Sequence, residues 1–335
     1  MIQLDSANEI KIMQNDHIGL FDGIGGESIL LFLLSKCDSE SINKQRAQQS
    51  LDIISDNIDS MERLNFSDGL AGIGWMVEWI VQNGFLEFNT NEVLEDIDNT
   101  LYKSVIYSSD NNISLARGTI GKILFFWSRY RSKNPSTHRL KNIFQEECLV
   151  LLTDDLYEHL CGENAIFHKK KLSSDDVINL GHVIYFLSNF LWTKINEPTI
   201  ENTLYGAMNF IMEIIDKNIG DEDFNSIEVT EIDDYLFLSS CFYLAGKNHQ
   251  LNFWQQKGIK YASYFKDMLK QKDVNYLSGN IILSSMILDN QIATLENVNY
   301  SNSTLTNIKG KFFIYHLATQ NIIDFDTAVS LLILR

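Results

Sequence analysis

Residues 67–83 read SDGLAGIGWMVEWIVQN. A G-x-x-G pair, Gly69 and Gly72, opens a mostly apolar run of helical length. The same arrangement occurs on either side. Residues 19–36 read GLFDGIGGESILLFLLSK, with Gly23 and Gly26, and residues 114–130 read SLARGTIGKILFFWSRY, with Gly118 and Gly121. From Gly23 to Gly69 is 46 positions and from Gly69 to Gly118 is 49. Weaker copies follow at INLGHVIYFLSNFLW (178–192), DDYLFLSSCFYLAG (233–246) and NYLSGNIILSSMILD (275–289), and the tail IIDFDTAVSLLILR (322–335) is a candidate seventh. A period near 46 accommodates two helices and their connections, the unit of helical repeat architectures.

The segments between these copies alternate polar and apolar faces. Residues 40–62, 90–106, 139–153, 200–217 and 252–270 fit the second helix of each pair, and Asn89, Thr90 and Asn91 offer N-caps for the 90–106 helix. The glycine-motif helices are apolar on more sides, so they are expected between an outer layer and a centre. The expectation is an all-α chain, an α/α toroid of about seven helix-hairpin repeats. With only 2 prolines, Pro135 and Pro198, and no Pro-, Gly- or Ser-rich linker, residues 1–335 read as a single domain, with 160–177 as a surface excursion.

Glycine at these places serves a loop that turns with positive φ, or a helix start that approaches its neighbours closely. A phosphate cradle is the other use of G-x-x-G. It requires a preceding strand and, in its best-defined form, G-x-x-x-x-G-K-[ST]. Lys122 follows Gly121, but Ile123 follows Lys122 and no strand pattern precedes.

A formal net charge of -17 argues against nonspecific nucleic-acid binding and against docking on anionic membranes, and leaves a basic peptide as a compatible partner. The four cysteines, Cys37, Cys148, Cys161 and Cys241, form no C-x-x-C pair and suggest a reducing compartment. The first residues lack a signal-peptide core, and no apolar run approaches about 18 residues. A soluble, cytoplasmic protein is expected.

FDGIGG (21–26), SDGLAGIGW (67–75) and ARGTIG (116–121) resemble the repeated motif of the lanthionine synthetase C family, the peptide cyclases of lanthipeptide maturation. The likeness spans nearly the whole chain. It implies an enzyme that adds a peptide cysteine thiol to a dehydrated serine or threonine. In that family a zinc ion, held by one Cys and a later Cys-His pair, favours the thiolate and keeps an open position for it. A His in an A-H-G-type repeat assists proton transfer.

Carried over residue by residue, NLGHVIYFLSN (179–189) matches the A-H-G-type motif at Gly181 and His182, so His182 is the expected acid/base group, with Val183 in place of the following glycine. The zinc motifs do not carry over. DVNYLSGNIILSS (273–285) matches through Asp273 and Gly279, which leaves Leu277 and Ser278 where Cys and His belong, and the earlier Cys position falls near Ile232. Leu and Ile cannot ligate zinc and Ser is a poor ligand. No cofactor is therefore expected, although the family implies zinc. Cys161, His159 and His168 form the one local Cys/His group, and His17 with Asp16 and Asp22 lies beside the first glycine turn as a capping or surface group.

Asp22, Asp68 and Arg117, which directly precede motif glycines, and Trp75 on the second motif's helix are the expected substrate-binding residues. The recurrent aromatics Trp75, Trp79, Phe125, Phe126, Trp127, Tyr185, Phe186 and Trp192 fit core packing, or the lining of a peptide cleft. The resemblance implies a member of ribosomal-peptide modification that has lost zinc and binds a precursor peptide or a partner modifying enzyme. Two alternatives stay open. One is a residual thioether-forming cyclase using His182 as acid/base. The other is an α/α-toroid glycan-processing enzyme with paired carboxylates drawn from Asp22, Asp68, Glu27, Glu78, Asp233 and Asp234.

Overall fold

A computed structural model describes residues 17–37, 42–134, 139–163, 165–219, 227–272, 277–287 and 303–335. Asp16 and Asp273 lie outside the described residues. Every regular element among the described residues is helical, as the sequence leads one to expect. The glycine-motif helices are α1 (Ile24–Ser35), α3 (Leu70–Gln82) and α6 (Thr119–Tyr130). Between them run α2 (Ile42–Asn57) and the pair α4 (Thr90–Val93) and α5 (Glu95–Tyr107). Then come α7 (Arg139–Cys161), α8 (Ser174–Phe190), α9 (Glu197–Asn218), α10 (Val229–Asn248), α11 (Asn252–Lys272), α12 (Gly279–Ile287), α13 (Ile308–Thr319) and α14 (Phe325–Leu332).

Burial alternates along this order. In α1 every residue but the last is buried, whereas α2 buries only Ala47, Ser50 and Ile54. One apolar-all-round helix paired with one amphipathic helix is the unit from which an α/α toroid is built. Asn89 is the residue that caps α4, accepting from the Asn91 amide at 3.1 Å. The connection between α7 and α8 carries a short 3-10 turn, Ile166–His168, within the stretch read as an excursion.

The helices group into two compact units. The first comprises residues 1–109, 115–148 and 293–335. In it α1 packs on α2 and α3, α3 on α5 and α6, and α13 on α14. The second comprises residues 110–114 and 149–292, where α10 packs on α8, α11 and α12, and α8 on α9.

The glycines work by close approach rather than by positive φ. Gly23, Gly69 and Gly118 cap their helices with φ of -116°, -134° and -129°, extended backbone open to any residue. A Cβ on Gly23 or Gly69 would lie 2.5 Å from the His17 oxygen or 2.6 Å from the Arg63 oxygen, and the second glycine of each motif is tighter still. A Cβ on Gly72 would lie 1.9 Å from the carbonyl oxygen of Phe66, and one on Gly26 would lie 2.2 Å from that of Leu20. On Gly121 it would meet the Leu115 oxygen at 2.4 Å. In each case the obstructing carbonyl is six residues back. Gly310 repeats the geometry, 2.0 Å from the Thr304 oxygen, three residues after the cap Asn307.

That equivalence relocates the seventh copy. The stretch STLTNIKG, residues 303–310, is the seventh turn and opens α13, while the tail proposed from sequence is α14, its partner helix. Four such turns are joined side by side in the first unit. Leu20 and Phe21 amides donate to the Ser67 carbonyl at 2.8 and 3.0 Å, and Phe66 and Ser67 amides donate to Ala116 at 3.1 and 2.9 Å. Thr304 and Thr306 hydroxyls donate to Asp22 Oδ1 at 3.2 and 2.8 Å. The last repeat thus lies against the first, across 282 and 284 positions of sequence.

Candidate functional site

The positions aligned with a zinc site converge in the second unit. Ile232 and Asp233 sit in the first turns of α10, and Ser278 precedes α12. Asp233 Oδ1 accepts from the Ser278 hydroxyl at 2.5 Å. Asp233 Oδ2 accepts from Asn280 Nδ2 at 2.7 Å, and the same amide reaches the Asp233 carbonyl at 3.1 Å. Ser278 Oγ also accepts from the Ile281 amide at 3.1 Å, which makes it the side-chain cap of α12. Ile232 is completely buried and Leu277 is half-buried.

Zinc does not fit this donor set. Two of the three aligned positions are aliphatic, and the proton of the third is committed to a carboxylate. Of the neighbouring carboxylates, Asp233 already has a hydroxyl and an amide on its two oxygens. Among the described residues no group of three His, Cys, Asp or Glu is placed to hold an ion.

His182 is not at a turn. It lies nine residues past the cap of α8, with 1% of its surface exposed. Its ring stacks on Phe186 at 6.1 Å and meets Phe237 edge-on at 5.1 Å. Phe237 is one helical turn past Asp233 on α10. Gly181 makes room for this packing, since a Cβ there would meet the Phe237 ring at 2.7 Å. The signal for the true helix start was Ser173-x-x-Asp176. Ser173 accepts from the Asp176 amide at 3.2 Å, and Asp176 accepts from the Ser173 amide at 3.0 Å, a reciprocal cap. Burial pushes the Asp176 carboxyl up, but bonds from Lys169 and Ser173 outweigh it and hold the group below the usual range.

The expected substrate-binding residues lie in the first unit. Asp22, Asp68 and Arg117 stand one residue before the caps of α1, α3 and α6, Asp22 and Arg117 exposed and Asp68 half-buried. Asp68 is paired with Arg63 and accepts from Ser67 at 2.9 Å. Burial raises its carboxyl, and bonds from Ser67, Asn65 and Arg63 reverse this, leaving it lowered. Trp75 is 5% exposed and packs on Phe66 at 5.5 Å and Trp79 at 6.5 Å, as part of the core. Trp192, by contrast, is 67% exposed, stacked on His249 at 5.7 Å.

The other candidates disperse. Cys241 is buried within α10, and Cys161 and His159 end α7, where His159 Nε2 lies 3.1 Å from the Asp110 carbonyl. His17 Nδ1 accepts from the Gly19 amide at 3.3 Å, a local capping role. Glu78 is bound to Arg129, a buried hub that the sequence reading did not single out. No helix among the described residues is long and apolar enough to cross a membrane.

A helix-pair repeat chain with glycine turns joined edge to edge is the class this geometry defines. Residues 4–155 match the family model described as lanthionine synthetase C-like protein. Over that stretch the chain is similar to the lanthionine synthetase C-like family, and the match takes in the first three glycine motifs and ends before His182, Ile232 and Leu277. No curated protein matches the chain.

Proposed function

We propose that the protein is a zinc-free pseudo-cyclase of ribosomal-peptide modification, of the lanthipeptide type, that binds a precursor peptide or a partner modifying enzyme. The observation that carries this reading is the chemistry at the aligned ligand positions. Ile232, Leu277 and Ser278 offer no sulfur or imidazole, and Ser278 is engaged with Asp233. Without a bound ion, nothing there lowers the pKa of an incoming cysteine thiol, so a peptide would be held rather than cyclised. His182 supports the same reading, because its side chain is 1% exposed and packs against Phe186 and Phe237, whereas a general base must reach the proton it takes. The acidic balance of the chain suits a basic peptide segment.

Titration of the full chain with a precursor peptide encoded beside it, in dehydrated and undehydrated forms, tests the proposal. Saturable binding without thioether formation by mass spectrometry is expected. Absence of binding up to about 1 mM, weaker than about 4 kcal/mol of association energy, removes the peptide-binding role. Accumulation of thioether rings at a rate abolished by His182→Ala replaces it with the cyclase reading.

A further inference from the structure

We propose that Asp233, gripped by Ser278 and Asn280, is a metal-independent joint that fastens the start of α12 to the start of α10. It stands where the family resemblance sets a zinc site, and hydrogen bonds take the place of ligand bonds there. The joint rests on geometry alone and does not depend on the peptide role proposed above.

The residues reach it from distant points of the chain. Ser278 is 45 positions from Asp233 and Asn280 is 47. Asp233 is 5% exposed and Asn280 is 5% exposed, so the contacts form out of water, where a carboxylate needs donors to be tolerated. Each partner contributes twice. Ser278 donates to the carboxylate and accepts from the Ile281 amide, while Asn280 donates to both the carboxylate and the backbone carbonyl of Asp233. An anion placed before α12 also meets the positive end of that helix. The fully buried Ile232 next to Asp233 keeps the joint in an apolar setting. A nine-residue helix has little length of its own to hold it, and this contact ties its first turn to α10 beside the packing of the fully buried Ile282 and Leu283.

Hydrogen exchange of the full chain, read by mass spectrometry over residues 277–287, tests the joint. Ser278→Ala and Asn280→Ala are each expected to speed exchange there about tenfold, the opening equivalent of one lost charge-assisted hydrogen bond. Residues 70–82 of the first unit serve as the unaffected control. Ser278→Ala added to Asp233→Asn should exchange no faster than the worse single variant, because all three side chains act as one unit. Ser278→Thr should restore protection, and a chelator should leave the wild type unchanged. The proposal is overturned by unchanged exchange in both alanine variants, by single effects that simply multiply, or by a chelator that loosens the wild type. If Asp233→Asn does not fold, the two alanine variants and the threonine rescue still decide the matter.

Discussion

Replacing Arg129 with Met should cost the first unit about 3–5 kcal/mol, the range for removing one partner of a buried ion pair. Arg129 is 2% exposed, and its guanidinium makes six hydrogen bonds to four residues, Asp98, Glu78, Thr90 and Asn91. Nε and Nη2 reach the two Asp98 oxygens at 2.9 and 2.8 Å. Nη1 reaches Thr90 Oγ1 at 2.9 Å and pairs with Glu78, and Nη2 reaches Asn91 Oδ1 at 3.1 Å. Methionine keeps the apolar stem but strands Glu78, which is 1% exposed and would keep Gln82 as a neutral donor at 2.7 Å. The loss is comparable with the whole stability of many domains, about 5–15 kcal/mol. It falls on the contacts of α3, α4, α5 and α6, and so on the alignment of the Gly69 and Gly118 turns. Urea unfolding followed by tryptophan fluorescence reads the effect, since Trp75 and Trp79 lie on α3. Adding Glu78→Met should recover at least half of the loss, because an apolar pair no longer buries an unpaired charge. A single-variant loss below about 0.5 kcal/mol, the size of a surface change, would refute the reasoning.

Gly72→Ala should destabilise more than Gly84→Ala. The first drives a Cβ into the Phe66 carbonyl, while the second meets open space and costs only its left-handed φ of 73°, about 1 kcal/mol. Equal melting shifts would contradict the close-approach account. Iodoacetamide should label Cys37 and Cys161, both half-buried, before Cys148 and Cys241, with Cys148 protected further because burial pushes its thiol up to about 12. Labelling of Cys148 as fast as Cys37 in the folded chain would sink that ordering. Burial lowers the His249 and His316 imidazoles below their unfolded value of about 6.5. The unfolded chain then takes up protons first, so stability should be full above about pH 6.5 and decline as pH falls through the folded values. His249→Gln should flatten that decline, and an unchanged slope in a pH series of urea midpoints would exclude His249.

What could be read from the sequence followed from how local the cause was. The second motif glycine is forced by a carbonyl six residues back, so Gly26, Gly72 and Gly121 announce their turns within one short window. The seventh turn escaped because Asn307 stands where the first glycine does elsewhere, leaving Gly310 alone as a marker. At α8 the cap was spelled by Ser173 and Asp176, three residues apart, while Gly181 and His182 lie inside the helix. The Arg129 hub joins residues 31 to 51 positions apart, and no periodicity reports which buried charges meet. Ile232 and Ser278 were aligned through the family motif alone. That Asp233, beside one, bonds to the other required the packing of α10 against α12.

Zinc quantified per mole of the full chain, purified without chelators, bears most directly on the account. Zinc well below one equivalent is predicted, with unchanged melting after chelator treatment. One equivalent that survives dialysis and disappears on replacing Ser278, Cys161 or Cys241 would contradict it.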